Sequence, residues 1–339
     1  VIFTLNLFKK AAICTDLHVG LKSNSVTHNE DCLNFITWFC DTAKQTGCET
    51  CLFLGDWHHH RATINVLSLG YSAKCLDILS KTFDVVYLLI GNHDLYFRDK
   101  RDTHSMIWAK QYPNIVLINE VTEIGDVTLV PWLVQNEYEG LAKKSSKYLF
   151  GHLELPHFFM NSLVVMPDHG GLNLDHITNY EQVFSGHFHK RQFKKNVCYV
   201  GNCFPHNFAD VGDDERGMGI LEWGKPIEFK SWPGQPVFRN YKLSTILDNP
   251  GLLLPNSHIK VDLDIGISYD EALFIREQLI PEYCLREMSL IQPKTFDSTL
   301  GEFDKIDNEP TEQIIHAQIA SVQSDFFDPA LLLEIYHAL

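Results

Sequence analysis

Six apolar runs in this chain end the same way, in a small residue followed by a group able to bind a metal or move a proton. AAIC ends in Thr15-Asp16-Leu17-His18, CLFL in Gly55-Asp56, and VVYLLI in Gly91-Asn92-His93-Asp94. Further on, YLF ends in Gly151-His152, VF in Ser185-Gly186-His187-Phe188-His189, and VCYV in Gly201-Asn202. Apolar runs this short suit strands buried on both faces. Helix-like stretches lie between several of them, over about 28–46 with Gly47 as a stop, and over about 63–81. Strand–helix alternation predicts a layered α/β fold. The polar groups then collect at the carboxyl ends of strands, where open α/β sheets place their sites.

Charge narrows the partners. The chain has 339 residues and a formal net charge of −15. Residues 236–339 carry 7 Lys+Arg against 17 Asp+Glu, so the acidity is concentrated there. A basic, sequence-independent nucleic-acid binder is excluded; phosphate contacts would need local patches, bound metal or a partner. Lys190 and Arg191, with Lys194 and Lys195, form one such patch, and Lys143, Lys144 and Lys147 another. No apolar run nears the roughly 20 residues of a membrane span. The opening VIFTLNLFKK carries its charges after its apolar residues, which reads poorly as a signal peptide. Nine cysteines are scattered, and only Cys48 and Cys51 fit C-x-x-C. Cys51 opens a strand-like run, so free thiols in a reducing cytoplasm are expected.

The strand-end groups have a chemistry in common. Carboxylates, a carboxamide oxygen and imidazoles suit manganese, iron or zinc better than calcium, which takes oxygen alone. Asp16, His18, Asp56, Asn92, His152, His187 and His189 are too many ligands for one ordinary site. They suit two ions roughly 3.5–4 Å apart with one carboxylate shared. Taken singly, each has a bland reading: Asp after Gly marks a turn, and a strand-end His is often only hydrogen-bonded. The ordered set of five motifs is what argues against those readings together.

D-x-H, G-D, G-N-H-D, G-H and G-H-x-H in this order resemble the calcineurin-like metallophosphoesterases, most closely the SbcD-type DNA nucleases, phage members included. The motifs span residues 14–189. The resemblance implies an α/β sandwich of two mixed sheets flanked by helices, with a small α+β capping domain and C-terminal helices. It implies that Asp16, His18, Asp56 and His189 hold one metal, and Asp56, Asn92, His152 and His187 the other. The ions would be two divalent cations, Mn²⁺ in this branch. His93 would face the scissile phosphate without binding metal, oriented by Asp94. His59 falls where nuclease members carry a His that contacts DNA, and Lys190 and Arg191 would touch phosphates. GDWHHHR departs from the family's GDxFH, because His58 replaces an aromatic. A solvated loop is the other reading of His58–His60.

What the resemblance implies for function is a Mn²⁺-dependent 3′→5′ exonuclease and single-strand endonuclease. It would be the nuclease subunit beside an SbcC-type ATPase, a homodimer within a heterotetramer, acting on DNA in the cytoplasm (of the host, if phage-encoded) with no membrane contact. The ligands alone leave open a metallophosphatase or phosphodiesterase on small substrates, or a non-catalytic DNA-end tether. Pro and Gly cluster at 225–240, placing a domain boundary near residue 235. The expected domains are therefore a nuclease domain over 1–235 and a small α+β unit over 236–292. A broken acidic linker over 293–311 and a helical segment over 312–339 for docking the ATPase complete the chain. Asp328-Pro329 divides that last segment into two amphipathic faces, Ile315-Ile319-Val322-Phe326 and Leu332-Ile335-Tyr336-Leu339.

Overall fold

Short buried strands dominate the computed structural model, which describes residues 6–161 and 164–292. The first sheet contains β1 (Lys10–Cys14), β2 (Thr50–Phe53), β3 (Val85–Leu89), β4 (Ile115–Ile118), β11 (Gly217–Glu222) and β12 (Glu228–Ser231). Its order is β12-β11-β1-β2-β3-β4. The second contains β5 (Thr122–Ile124), β6 (Val127–Val130), β7 (Ser146–His152), β8 (Tyr180–Gly186), β9 (Gln192–Lys194) and β10 (Val197–Tyr199), in the order β5-β6-β7-β8-β10-β9. In the first sheet β1 to β4 run parallel and the antiparallel pairings lie at one edge, whereas in the second a parallel centre has an antiparallel strand at each edge. The fold is thus the expected sandwich of two mixed sheets.

Alternation along each strand explains the layers. Ala11, Ile13, Leu52 and Leu54 of the first sheet pack with Leu129, Phe150 and Phe184 of the second, forming the shared core. Ala12, Cys14, Cys51 and Phe53 point the other way, onto Phe35, Phe39 and Leu76 of two helices. The first helix, Val26–Thr46, is capped by Ser25, whose side chain accepts from the His28 amide, and ends at Gly47 with φ 71°. The second, Val66–Thr82, is capped by Asn65. The outer face of the second sheet is covered differently: irregular segments and short 3₁₀ turns supply Leu141, Phe158 and Ile177 over Val183 and Tyr199.

Residues beyond the sandwich form a third sheet, β13 (Val237–Lys242), β14 (Ser257–Asp262) and β15 (Glu287–Ile291), all parallel. The helix Tyr269–Glu282 connects β14 to β15, and a Ser268/Glu271 capping box starts it. Arg286 anchors this sheet to the sandwich through a two-pronged ion pair with Asp31, at 2.5 and 2.6 Å. The expected linker and helical segment, 293–311 and 312–339, lie outside the described residues. All nine cysteines are free thiols, and only Cys284 is exposed. Among the described residues no helix is long and apolar enough to cross a membrane.

Candidate metal centre

The loops leaving β1 and β2 zip together beyond the strands, and this places the first donors. The Asp16 amide donates to the Gly55 carbonyl (3.0 Å), His18 to Asp56 (3.1 Å), and His59 to Val19 (3.0 Å). Asp16, His18, Asp56 and His187 all have left-handed backbone, with φ between 50° and 85°. Such conformations cost on the order of 1–3 kcal/mol each and persist only where the surroundings over-determine them. Two glycines permit the close approach. A Cβ on Gly55 (φ 105°) would lie 2.4 Å from His152 Nδ1, and one on Gly91 would lie 2.2 Å from Asp56 Oδ1.

All seven expected donors converge. Asp56 belongs to two clusters of possible ligands, one with Asp16 and His18 and one with His152 and His187. His189 joins His18 in a further cluster, and Asn92 Oδ1 lies 3.0 Å from both His152 Nε2 and His187 Nδ1. The Asp16 carboxylate accepts from the Thr15 hydroxyl (2.7 Å) and the His187 amide (3.1 Å) through Oδ2.

The protons show that this arrangement fits cations. His152 Nδ1 faces the Leu54 carbonyl (2.7 Å), which can only accept, so Nδ1 carries the hydrogen. Its Nε2 is then turned on two more acceptors, Asn92 Oδ1 and, at 3.4 Å, Asp56 Oδ2. His187 repeats the pattern: Nε2 faces Glu154 Oε1 (3.3 Å), leaving the Nδ1 lone pair toward Asn92. Asp16 Oδ1 and His18 Nε2 are buried with no hydrogen-bond partner, 3.8 Å apart. Buried acceptors facing one another are stable only around a proton or a cation. Burial opposes a charge on His152, yet Asp56 outweighs it and raises that imidazole to about 9. Burial likewise opposes ionisation of Asp56, but His152, His18 and His93 hold its carboxyl well below the usual range. Burial, with His189, His93 and His59 nearby, keeps His18 well below the ordinary histidine value, in the neutral form that ligates.

These residues offer donors enough for two divalent ions, at the strand ends of a two-sheet sandwich. By fold and donor set, the chain resembles the calcineurin-like metallophosphoesterases. No family model matches it. A curated relative, exonuclease subunit 1 of Enterobacteria phage T4, is 25% identical over 216 residues, covering 61% of this chain and 62% of the relative. The match therefore spans under two thirds of that relative's length. Among solved structures, the Pseudomonas putida nuclease MPE covers 56% of this chain and 66% of its own, at 17% identity and a TM-score of 0.29. A dimetal phosphatase from Danio rerio covers 62% and 91%, at 9% identity and a TM-score of 0.37.

The remaining expected residues divide. His93 stands beside the donors: its amide donates to Asp56 Oδ1 (2.8 Å), and its Nδ1 donates to the His59 carbonyl (2.8 Å), leaving Nε2 free. Asp94 does not orient the His93 ring as expected. Its carboxylate accepts the amides of Gly91 (3.0 Å), His58 (3.0 Å) and Trp57 (3.3 Å), so it shapes the turn instead. Burial, then Asp56, raises Asp94 to about 6. The His59 ring stacks on His93 at 17° between planes, and its Nδ1 lies 3.4 Å from His18 Nδ1.

His58 is not in a solvated loop; it is buried between the hydroxyls of Ser105 (2.8 Å) and Ser72 (3.0 Å), a polar slot in place of an aromatic one. Lys190 lies over the Phe159 ring at 4.6 Å. Arg191 faces inward: its guanidinium covers the Phe229 ring at 3.9 Å and Nε donates to the Val200 carbonyl (3.0 Å). Burial, with Arg216 nearby, lowers it to about 10. This is a packing role in place of the expected DNA contact.

Sequence reasoning missed Glu154, Trp132 and His206. Glu154 follows His152 by two residues at the same strand end, a signal that was there to read. Trp132 lies against His187, with ring centroids 5.0 Å apart. His206 stands four residues past Asn202, a strand-end motif noted without a role.

Proposed function

We propose that this chain is a DNA nuclease, hydrolysing phosphodiester bonds with two bound divalent ions, Mn²⁺ in use. The carrying observation is Asp56: one buried carboxylate shared by two donor clusters, with the non-ligand His93 pinned to it. When bound, the ions supply charge neutralisation at phosphate oxygens and lower the pKa of water. The chain's own residues do the rest. Asn92 and His187 hold the wall of the site nearest Trp132, where Glu154 fixes the His187 ring. His93, its Nδ1–H fixed on the His59 carbonyl, turns Nε2 to the open side. Protonated, it stabilises charge on the phosphate and hands a proton to the leaving oxygen. In this reading His59 and Lys190 meet the DNA backbone.

The choice of DNA over a small phosphate ester rests on the similarity to a phage exonuclease subunit. It also rests on the extra sheet at 237–291, which a small-molecule hydrolase does not need. In this reading residues 1–235 are the nuclease domain, 236–292 a cap, 293–311 a linker and 312–339 a helical segment that docks an SbcC-type ATPase. The assembly is a homodimer within a heterotetramer. It acts in the cytoplasm as a 3′→5′ exonuclease and single-strand endonuclease in DNA replication, recombination or repair.

The test is digestion of end-labelled duplex and single-stranded DNA with Mn²⁺, with and without the ATPase, against p-nitrophenyl phosphate. Stepwise shortening from 3′ ends that EDTA stops supports the reading. Turnover of p-nitrophenyl phosphate with intact DNA replaces it by the phosphatase.

A further inference from the structure

His206 is buried, and among the described residues neither of its ring nitrogens has a hydrogen-bond partner. An imidazole always carries at least one N–H or lone pair to satisfy, so two orphaned nitrogens in a closed site need an explanation. The ring does not lie in an apolar pocket. It stands edge-on to His18 (centroids 5.4 Å, 87°) and His189 (5.3 Å, 85°), both expected ligands of one ion. One ligand atom from each of His18, His189 and His206 lies within 4.8 Å of the others. Nitrogens about 2.1 Å from one ion lie about 3.0 Å apart when cis and about 4.2 Å when trans, so the three rings have to draw together to close on an ion.

The backbone holds this ring in place. The His206 amide donates to Asp210 Oδ2 (2.8 Å), which also accepts from the Asn202 side chain (3.4 Å). Phe204 packs against its face at 5.1 Å. The neighbouring His28 is already spent: its Nε2 bonds the His18 carbonyl at 3.0 Å. His206 alone of this pair therefore has nitrogens available to the cluster.

We propose that His206 is a fifth protein ligand of the ion held by Asp16, His18, Asp56 and His189. The site becomes three imidazoles and two carboxylates, richer in nitrogen than its partner of Asp56, Asn92, His152 and His187. Added imidazole raises affinity along the Irving–Williams series, so this position selects Fe²⁺, Co²⁺ or Zn²⁺ over Mn²⁺ more strongly than the other. Five protein donors would also leave less room for a substrate oxygen at this position than at the other.

The proposal rests on the two-ion reading, and the experiment separates the two. Full-length wild type, stripped of metal, is titrated with Co²⁺ and followed by calorimetry and by the visible spectrum. Two ions per chain support the two-ion reading; one or none overturns it, and this proposal with it. His206→Ala and His206→Asn are then titrated beside His28→Ala. The expected result is at least ten-fold weaker binding of one Co²⁺ in both His206 variants, the other ion unchanged, and wild-type binding in His28→Ala. Unchanged binding of both ions in the His206 variants overturns the ligand role alone. An equal loss in His28→Ala also overturns it, because packing would then suffice. Should neither His206 variant fold, ¹⁵N-histidine-labelled wild type loaded with Co²⁺ decides. Strongly shifted N–H signals from His18, His152, His187, His189 and His206 support the ligand, and absence of the last refutes it.

Discussion

The backbone amide of His93 donates to Asp56 Oδ1 at 2.8 Å, tying an imidazole outside the seven expected donors to the carboxylate both clusters share. Asp56→Ala should therefore lose both ions and all activity, because neither cluster closes without this oxygen pair. Asp16→Ala should weaken mainly one. Metal analysis after desalting checks this, and two ions retained by the Asp56 variant would contradict the shared role.

His93→Ala should behave in the opposite way. Its ring stacks on His59 and stands edge-on to His18 but belongs to neither cluster that shares Asp56, so metal content and stability should stay near wild type. The hydrolysis rate should fall roughly 10²–10⁴-fold, the range for a general acid–base group. Single-turnover kinetics at saturating metal measure this, and loss of an ion would make His93 a ligand.

Gly91→Ala should damage the centre without replacing any donor. The added Cβ would lie 2.2 Å from Asp56 Oδ1 and 2.3 Å from the Asp56 amide nitrogen, so backbone must move. Overpacking of this kind costs on the order of 1–3 kcal/mol. A lower melting temperature together with weakened binding of both ions is expected, and wild-type metal affinity would show that the turn relaxes freely.

Asp94 gives a pH signature in the metal-free protein. Its folded pKa of about 6 is raised above the ordinary carboxylate value of 3.8. Its contribution to stability is thus complete below pH 3.8 and is lost as pH rises through about 6. Asp94→Asn removes that titration. Urea midpoints at pH 4, 5, 6 and 7 should show the variant gaining on wild type as pH rises, by on the order of 2–3 kcal/mol across the window. A pH-independent gap would mean Asp94 is ionised throughout.

Arg286→Ala should loosen the third sheet. It removes the guanidinium bonded by two prongs to Asp31, which is almost wholly buried. Leaving a buried carboxylate unpaired costs roughly 3–5 kcal/mol. Hydrogen exchange should quicken across β13–β15 first, and uniform exchange with wild type would show that apolar contacts suffice to seat this sheet.

The sequence by itself determined the layered α/β class, the strand ends and the seven converging donors. These are local properties: a short apolar run makes a buried strand, and a small residue after it lets a polar side chain turn into the site. The helices expected over about 28–46 and 63–81 form at 26–46 and 66–82, the first stopping at Gly47 as expected and the two starts set by the Ser25 and Asn65 caps. What lay beyond it depended on which strands became neighbours. His206 meets His18 only because the loops after β1 and β10 end side by side, 188 residues apart in the chain. Arg191 read as part of a basic patch, yet the β9–β10 hairpin folds it onto Phe229 of β12. Asp94 read as a partner for His93, yet the loop after β2 brings the Trp57 and His58 amides to it, beside that of Gly91 in its own loop. Each was decided by tertiary structure, because a side chain takes the nearest unsatisfied group in space, and sheet order sets which group that is.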